Sequence, residues 1–139
     1  MVNIWFNTIV LLILLYASIY DIKHRIVLDR VHLALIITGF AFGKFHLIDT
    51  VAVFALMFFV YKLGEWIFKK DALGFGDVKL FTAIGFLFGF FNFLNIFFYA
   101  FLIAGIYGVF ILLFKKSKDH TLPFVPFIGL AVLWSELIF

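Results

Sequence analysis

Residues 78–114 read VKLFTAIGFLFGFFNFLNIFFYAFLIAGIYGVFILLF, with Lys79 as the single charged side chain. A helix crosses the hydrocarbon of a bilayer with about 20 residues, so this run is too long for one crossing and about right for two. Inside it, Asn92, Asn95 and their neighbours mark the turn. Outward from this pair, hydropathy predicts six spans in all, at about 3–20, 31–46, 50–67, 78–94, 96–114 and 122–139. Gly39, Gly43, Lys44 and His46 shorten the second, which reads as tilted or partly interfacial. The first span has no Lys or Arg before it and no small-residue cleavage site after it, so it reads as a retained helix.

The composition agrees. Of 139 residues, 66% are apolar and 14% charged, and 23 are Phe, whereas soluble domains are about 45–50% apolar. Too little polar surface remains to coat a water-soluble particle, which excludes a soluble globular fold. The expected fold class is an all-α integral membrane protein, a bundle of six transmembrane helices, with residues 1–139 as a single domain. No repeat, low-complexity linker or Pro/Ser-rich boundary divides it. The absence of cysteine excludes disulfides, thiolate zinc sites and cysteine nucleophiles. Trp5, Trp66 and Trp134 fall near span ends, as interfacial anchors do.

The net charge of +3 matters less than its sidedness. Loop 20–31 carries Lys23, Arg25 and Arg30; loop 62–79 carries Lys62, Lys69, Lys70 and Lys79; loop 115–121 carries Lys115, Lys116 and Lys118. Only Lys44 is left for the other side. The positive-inside rule then puts loops one, three and five in the cytoplasm and both termini outside. The charge implies membrane lipid as a partner and no nucleic acid.

Ionisable side chains at the edge of apolar helices are costly and mark function. Among Asp21, Asp29, Asp49, Glu65, Asp71, Asp77, Asp119 and Glu136, two stand out. Asp21 closes the first apolar run and Asp77 opens the fourth, on the same expected face. Two carboxylates brought together there share a proton and serve in turn as base and acid, the machinery of an aspartic protease. The glycines of Gly74-Phe75-Gly76-Asp77 would let a peptide backbone lie close. The helix dipole at the start of the fourth span favours the charge on Asp77. The plainer alternatives are an i,i+4 ion pair of Asp21 with Arg25 and an ordinary helix-start role for Asp77.

Leu122-Pro123-Phe124-Val125-Pro126-Phe127 holds both prolines of the chain. It reads as an irregular start to the last span, a rigid wall near the same face, or simply a helix with Pro in its first turn. His24, His32, His46 and His120 show no ligand spacing, so no metal is expected. His24 and His120 flank the candidate site; as loop histidines they are expected to be solvated.

With these residues in view, the chain resembles the type IV prepilin peptidases. Gly74-Phe75-Gly76-Asp77-Val78-Lys79-Leu80 is similar to that family's GxGD motif, with a Lys two residues after the Asp. Tyr20-Asp21-Ile22-Lys23-His24-Arg25-Ile26 resembles its first-aspartate segment, and Pro123-Phe124-Val125-Pro126-Phe127 the element that opens its last helix. The resemblance implies a membrane aspartic endopeptidase that removes the leader of prepilins or pilin-like precursors at the cytoplasmic face of the cell membrane. It implies Asp21 and Asp77 as the catalytic pair and no cofactor. Two departures stand beside it. Ile26-Val27-Leu28-Asp29 replaces the usual Ile-Pro-Asn, and there is no cysteine-bearing N-terminal domain, so the chain resembles the short, peptidase-only members, such as those serving Tad pili, without methylation. Presenilin-type GxGD proteases are more distant. A small ion-coupled transporter or channel, and a structural subunit in which the aspartates only pair with Lys or Arg, are the readings from other classes. A basic leader meeting this basic face calls for local acids, expected at Asp29, Glu65, Asp71 or Asp119.

Overall fold

On the first helix, Phe6, Val10, Leu14 and Ala17 recur every three or four residues and are buried, while Leu12, Leu15, Tyr16 and Ile19 on the other faces are exposed. The next position on the buried stripe is Asp21. The face that packs the helix therefore delivers a carboxylate to the interior at its end.

The computed structural model describes residues 3–69, 73–114 and 122–138. Among these it has six helices and no strand: α1 (Ile4–His24), α2 (Asp29–Ala41), α3 (Leu47–Phe68), α4 (Phe75–Phe88), α5 (Phe90–Phe114) and α6 (Val125–Ile138). Three of them, α1, α3 and α5, are long and apolar enough to cross a membrane. The other three have 13 or 14 residues, so the second, fourth and sixth runs yield shorter helices than their hydropathy suggests.

The break in the long apolar run is also displaced. It falls at Gly89, not at Asn92 and Asn95, which lie inside α5. Gly89 takes φ of +82°, a region open to glycine, and its N–H bonds the carbonyl of Gly85. Asn92 assists from within α5, its side-chain amide donating to the Phe88 carbonyl at 2.9 Å.

Packing partners set the directions. Asn7 bonds Glu136 and Asp21 bonds Val125, so α1 and α6 are antiparallel. His32 meets Gly76 and Gly39 meets Phe86, so α2 and α4 run parallel. Val53 meets Gly85 and Tyr61 meets Phe75, so α3 and α4 are antiparallel. The end of α1 thus lies with the starts of α2, α4 and α6.

At the centre, α4 beyond its first turn is almost wholly apolar and buries Val78, Leu80, Phe81, Ala83, Ile84, Phe86 and Leu87. It packs on α2, α3 and α5. Close approach needs small residues. A Cβ on Gly85 would fall 2.6 Å from a Val53 methyl, and one on Gly39 2.6 Å from the Phe86 ring. By contrast α3 fully buries only Val53 and Met57, with Leu56 and Tyr61 partly buried against the core, while Phe59, Trp66, Ile67 and Phe68 are exposed.

Candidate active site

Asp21 and Asp77, 56 positions apart in sequence (77 − 21), line one cavity of about 260 Å³. Arg25, Ile26, Val27, Asp29, Gly74, Gly76 and Lys79 complete it. The two aspartates are near enough for the charge of Asp21 to act on Asp77. Of the residues singled out from sequence, Gly74, Gly76 and Lys79 therefore share the cavity with both aspartates.

The Asp21 side chain is held from the opposite end of the sequence. The backbone N–H of Val125 donates to its Oδ2 at 3.1 Å, inside the bundle. Val125 is the first residue of α6, where helical N–H groups have no partner within their own helix. An anion at this position satisfies one of them and meets the positive end of the helix dipole. Pro123 and Pro126 on either side have no N–H to offer, which leaves Phe124 and Val125 as the donors of the segment. The Phe124 N–H contributes to the same carboxylate, as does the Arg25 guanidinium. The proline segment, expected as a wall beside the site, also supplies the hydrogen bond to one of its acids.

The Asp77 side chain sits in the first turn of α4 and turns back to the N–H of Gly74, the helix N-cap. That is the returning half of a capping box. Gly76 has Val27 on its open side, 3.2 Å from where a Cβ would stand. Val27 belongs to the stretch that departs from the family's Ile-Pro-Asn, and it packs against the glycine frame. The dipole argument had assigned the charge of the pair to Asp77. The surroundings favour the reverse: a backbone N–H bonds the Asp21 carboxylate and the Arg25 charge acts on it, while the charge of Asp21 opposes one on Asp77.

Phe75 is 43% exposed and stands outside the cavity, edge-on to Tyr61 with Lys79 above its ring. Phe124 and Phe127 pack inward, Phe124 against Phe81 and Phe101, Phe127 against Tyr107. Pro126 lines a separate apolar groove between α1 and α6.

Lys79 bonds the exposed Asp29 at 3.0 Å and holds that carboxyl below the usual carboxylate range. Glu65 is bonded to Lys62 at 2.8 Å. Two of the four acids expected to meet a basic leader thus already have partners in the chain; Asp71 and Asp119 lie outside the described residues, as does His120. His24 is exposed and stacks on Tyr20.

Sequence spacing gave no role to His32. The structure buries it beside Asp29, with Nε2 3.3 Å from the Gly76 carbonyl. Its partner is a backbone atom, which leaves no signature in residue types. Among the described residues no three His, Asp or Glu side chains group as metal ligands.

Comparison with protein families places this helical bundle among the peptidases. The match is to the Type IV leader peptidase family and runs over residues 8–109, which include both aspartates; the chain belongs to that family. No curated protein and no solved structure matches it.

Proposed function

We propose that the protein is a membrane aspartic endopeptidase that removes the leader peptide from type IV prepilins or pilin-like precursors of the Tad pilus, pseudopilin or archaellin type. The observation that carries this reading is one small cavity shared by Asp21 and Asp77 and walled by Gly74 and Gly76. Such a pair carries one charge between two carboxyls, since like charges this close oppose each other. Asp21, with its backbone donors, is the charged member and draws a proton from water. The water oxygen attacks the scissile carbonyl, and Asp77 gives its proton to the departing amine. The pair then holds one proton again and the peptide bond has taken up one water.

The glycine wall suits an extended peptide, because no side chain there blocks a passing backbone. An apolar groove of about 560 Å³ between α2, α3 and α4 shares Asp29 and Lys79 with the cavity. It gives the apolar helix of a precursor a place beside the site while the leader stays in water. In this reading all six helices span the cell membrane, termini outside, and the sidedness of Lys and Arg puts the cavity on the cytoplasmic face.

Co-expression with a prepilin tests the pair. Asp21→Asn and Asp77→Asn keep size and polarity but cannot cycle a proton. Each should accumulate in the membrane and leave the precursor at full length. Normal cleavage by either variant would remove the dyad assignment.

A further inference from the structure

One buried polar side chain has no part in the chemistry just described. His32 is 8% exposed, near the start of α2. Its Nε2 lies 3.3 Å from the carbonyl oxygen of Gly76. A carbonyl can only accept, so Nε2 carries the proton and donates. Its Nδ1 has no hydrogen-bond partner among the described residues and faces the Asp29 carboxylate at 3.8 Å. Asp29 in turn is bonded by Lys79. Lys79, Asp29, His32 and Gly76 therefore stand side by side around the first turn of α4, with one hydrogen bond from Lys79 to Asp29 and one from His32 to Gly76.

That turn has little stiffness of its own, because Gly74 and Gly76 leave the backbone the widest choice of torsions. Val27 braces Gly76 from one side. The imidazole holds it from α2.

We propose that His32 is a positioning residue: by donating from Nε2 to the Gly76 carbonyl it fixes the first turn of α4, and with it the placement of Asp77 against Asp21. The proposal rests on the aspartate-pair reading, in which Asp77 must meet the leaving amine within hydrogen-bond reach. Displacing a reacting group by about 1 Å costs on the order of a hundredfold in rate.

The test uses the full chain in membranes with two substitutions. His32→Leu removes the donor; His32→Gln places an amide N–H at a reach close to that of Nε2. With a cleavable prepilin, His32→Leu should lower kcat by roughly ten- to a hundredfold with KM unchanged, and His32→Gln should restore most of the rate. A second readout does not need cleavage. The natural chain has no cysteine, so an Asp21→Cys, Asp77→Cys pair can be joined by a short bifunctional thiol reagent. Its crosslinking yield should fall with His32→Leu and recover with His32→Gln. Wild-type kcat and crosslinking in His32→Leu would overturn the proposal, as would a His32→Gln variant as impaired as His32→Leu. If the wild type leaves the prepilin whole while crosslinking still follows the donor, the peptidase reading fails and the positioning role stands.

Discussion

The bundle has a polar cavity at each end, and the two are built from similar parts. One holds Asp21 and Asp77. The other, about 500 Å³, holds Glu136 with Asn7, Lys44, His46 and Asn92. Asn7 and Asp21 stand on the same helix, 14 residues apart (21 − 7), or about 21 Å at 1.5 Å per residue. Both cavities place a carboxylate beside apolar side chains; what differs is its company. Glu136 accepts from the Asn7 amide and feels the Lys44 ammonium. Asp21 has Asp77. The Arg25 charge acts on Asp21 as Lys44 does on Glu136, so the difference is the added acid, which under the proposed mechanism makes a pair able to hold and release a proton.

The largest expected contrast follows from that difference. Asp77→Asn should lower turnover of a prepilin by about 10²–10⁴-fold, the usual share of a general acid or base. Glu136→Gln, at the other end, should leave turnover unchanged; if the two variants slow cleavage alike, the ends do not differ in role. Next comes the donor on which Asp21 depends. Val125→Pro removes its N–H at a helix start, where proline is tolerated. A hydrogen bond to a charged group contributes about 1.5–3 kcal/mol, so cleavage should slow by roughly ten- to a hundredfold while the helical circular dichroism is kept. An unchanged rate would show that Asp21 does not need this donor.

A third contrast separates stability from chemistry within α4. Gly85→Ala forces a methyl to 2.6 Å from Val53 and should cost about 1–3 kcal/mol of stability in detergent unfolding, with cleavage kept at permissive temperature. Gly76→Ala meets Val27 at 3.2 Å and should reduce cleavage more than stability. The reverse pattern would move the sensitive point away from the cavity. The smallest effect is expected at Glu65→Gln. Its partner Lys62 and it are both about half exposed, and such pairs contribute about 0–1 kcal/mol, so neither stability nor cleavage should change beyond that.

Much of the architecture was legible in the sequence because apolar runs and helices coincide. All six expected segments are helical, in the expected order. The convergence of Asp21 and Asp77 was legible as well, since alternating crossings bring the end of the first run and the start of the fourth to one end. The misplaced break was not. Asn92 and Asn95 are strong turn formers by type, yet the chain turns at Gly89 by adopting a positive φ, and Asn92 serves from inside the next helix. The acceptors and donors around the aspartates were equally hidden. Val125 reaches Asp21 through an N–H that any residue but proline could supply, and Gly76 reaches His32 through a carbonyl that every residue has. The pairing of Lys79 with Asp29 joins positions 50 apart, beyond any local pattern.

The shortness of α4 has a further consequence. At 14 residues it is about 21 Å long, while its neighbours α3 and α5 have 22 and 25. A central helix shorter than two of its neighbours leaves a recess at each end. The two cavities are those recesses: one is floored by Gly76 and Asp77, the other by Leu87 and Phe88. Phe81, Ile84 and Phe93, each fully buried, belong to the apolar core that α4 and α5 share. Under the proposed mechanism, the recess at the start of α4 is where water meets the aspartate pair.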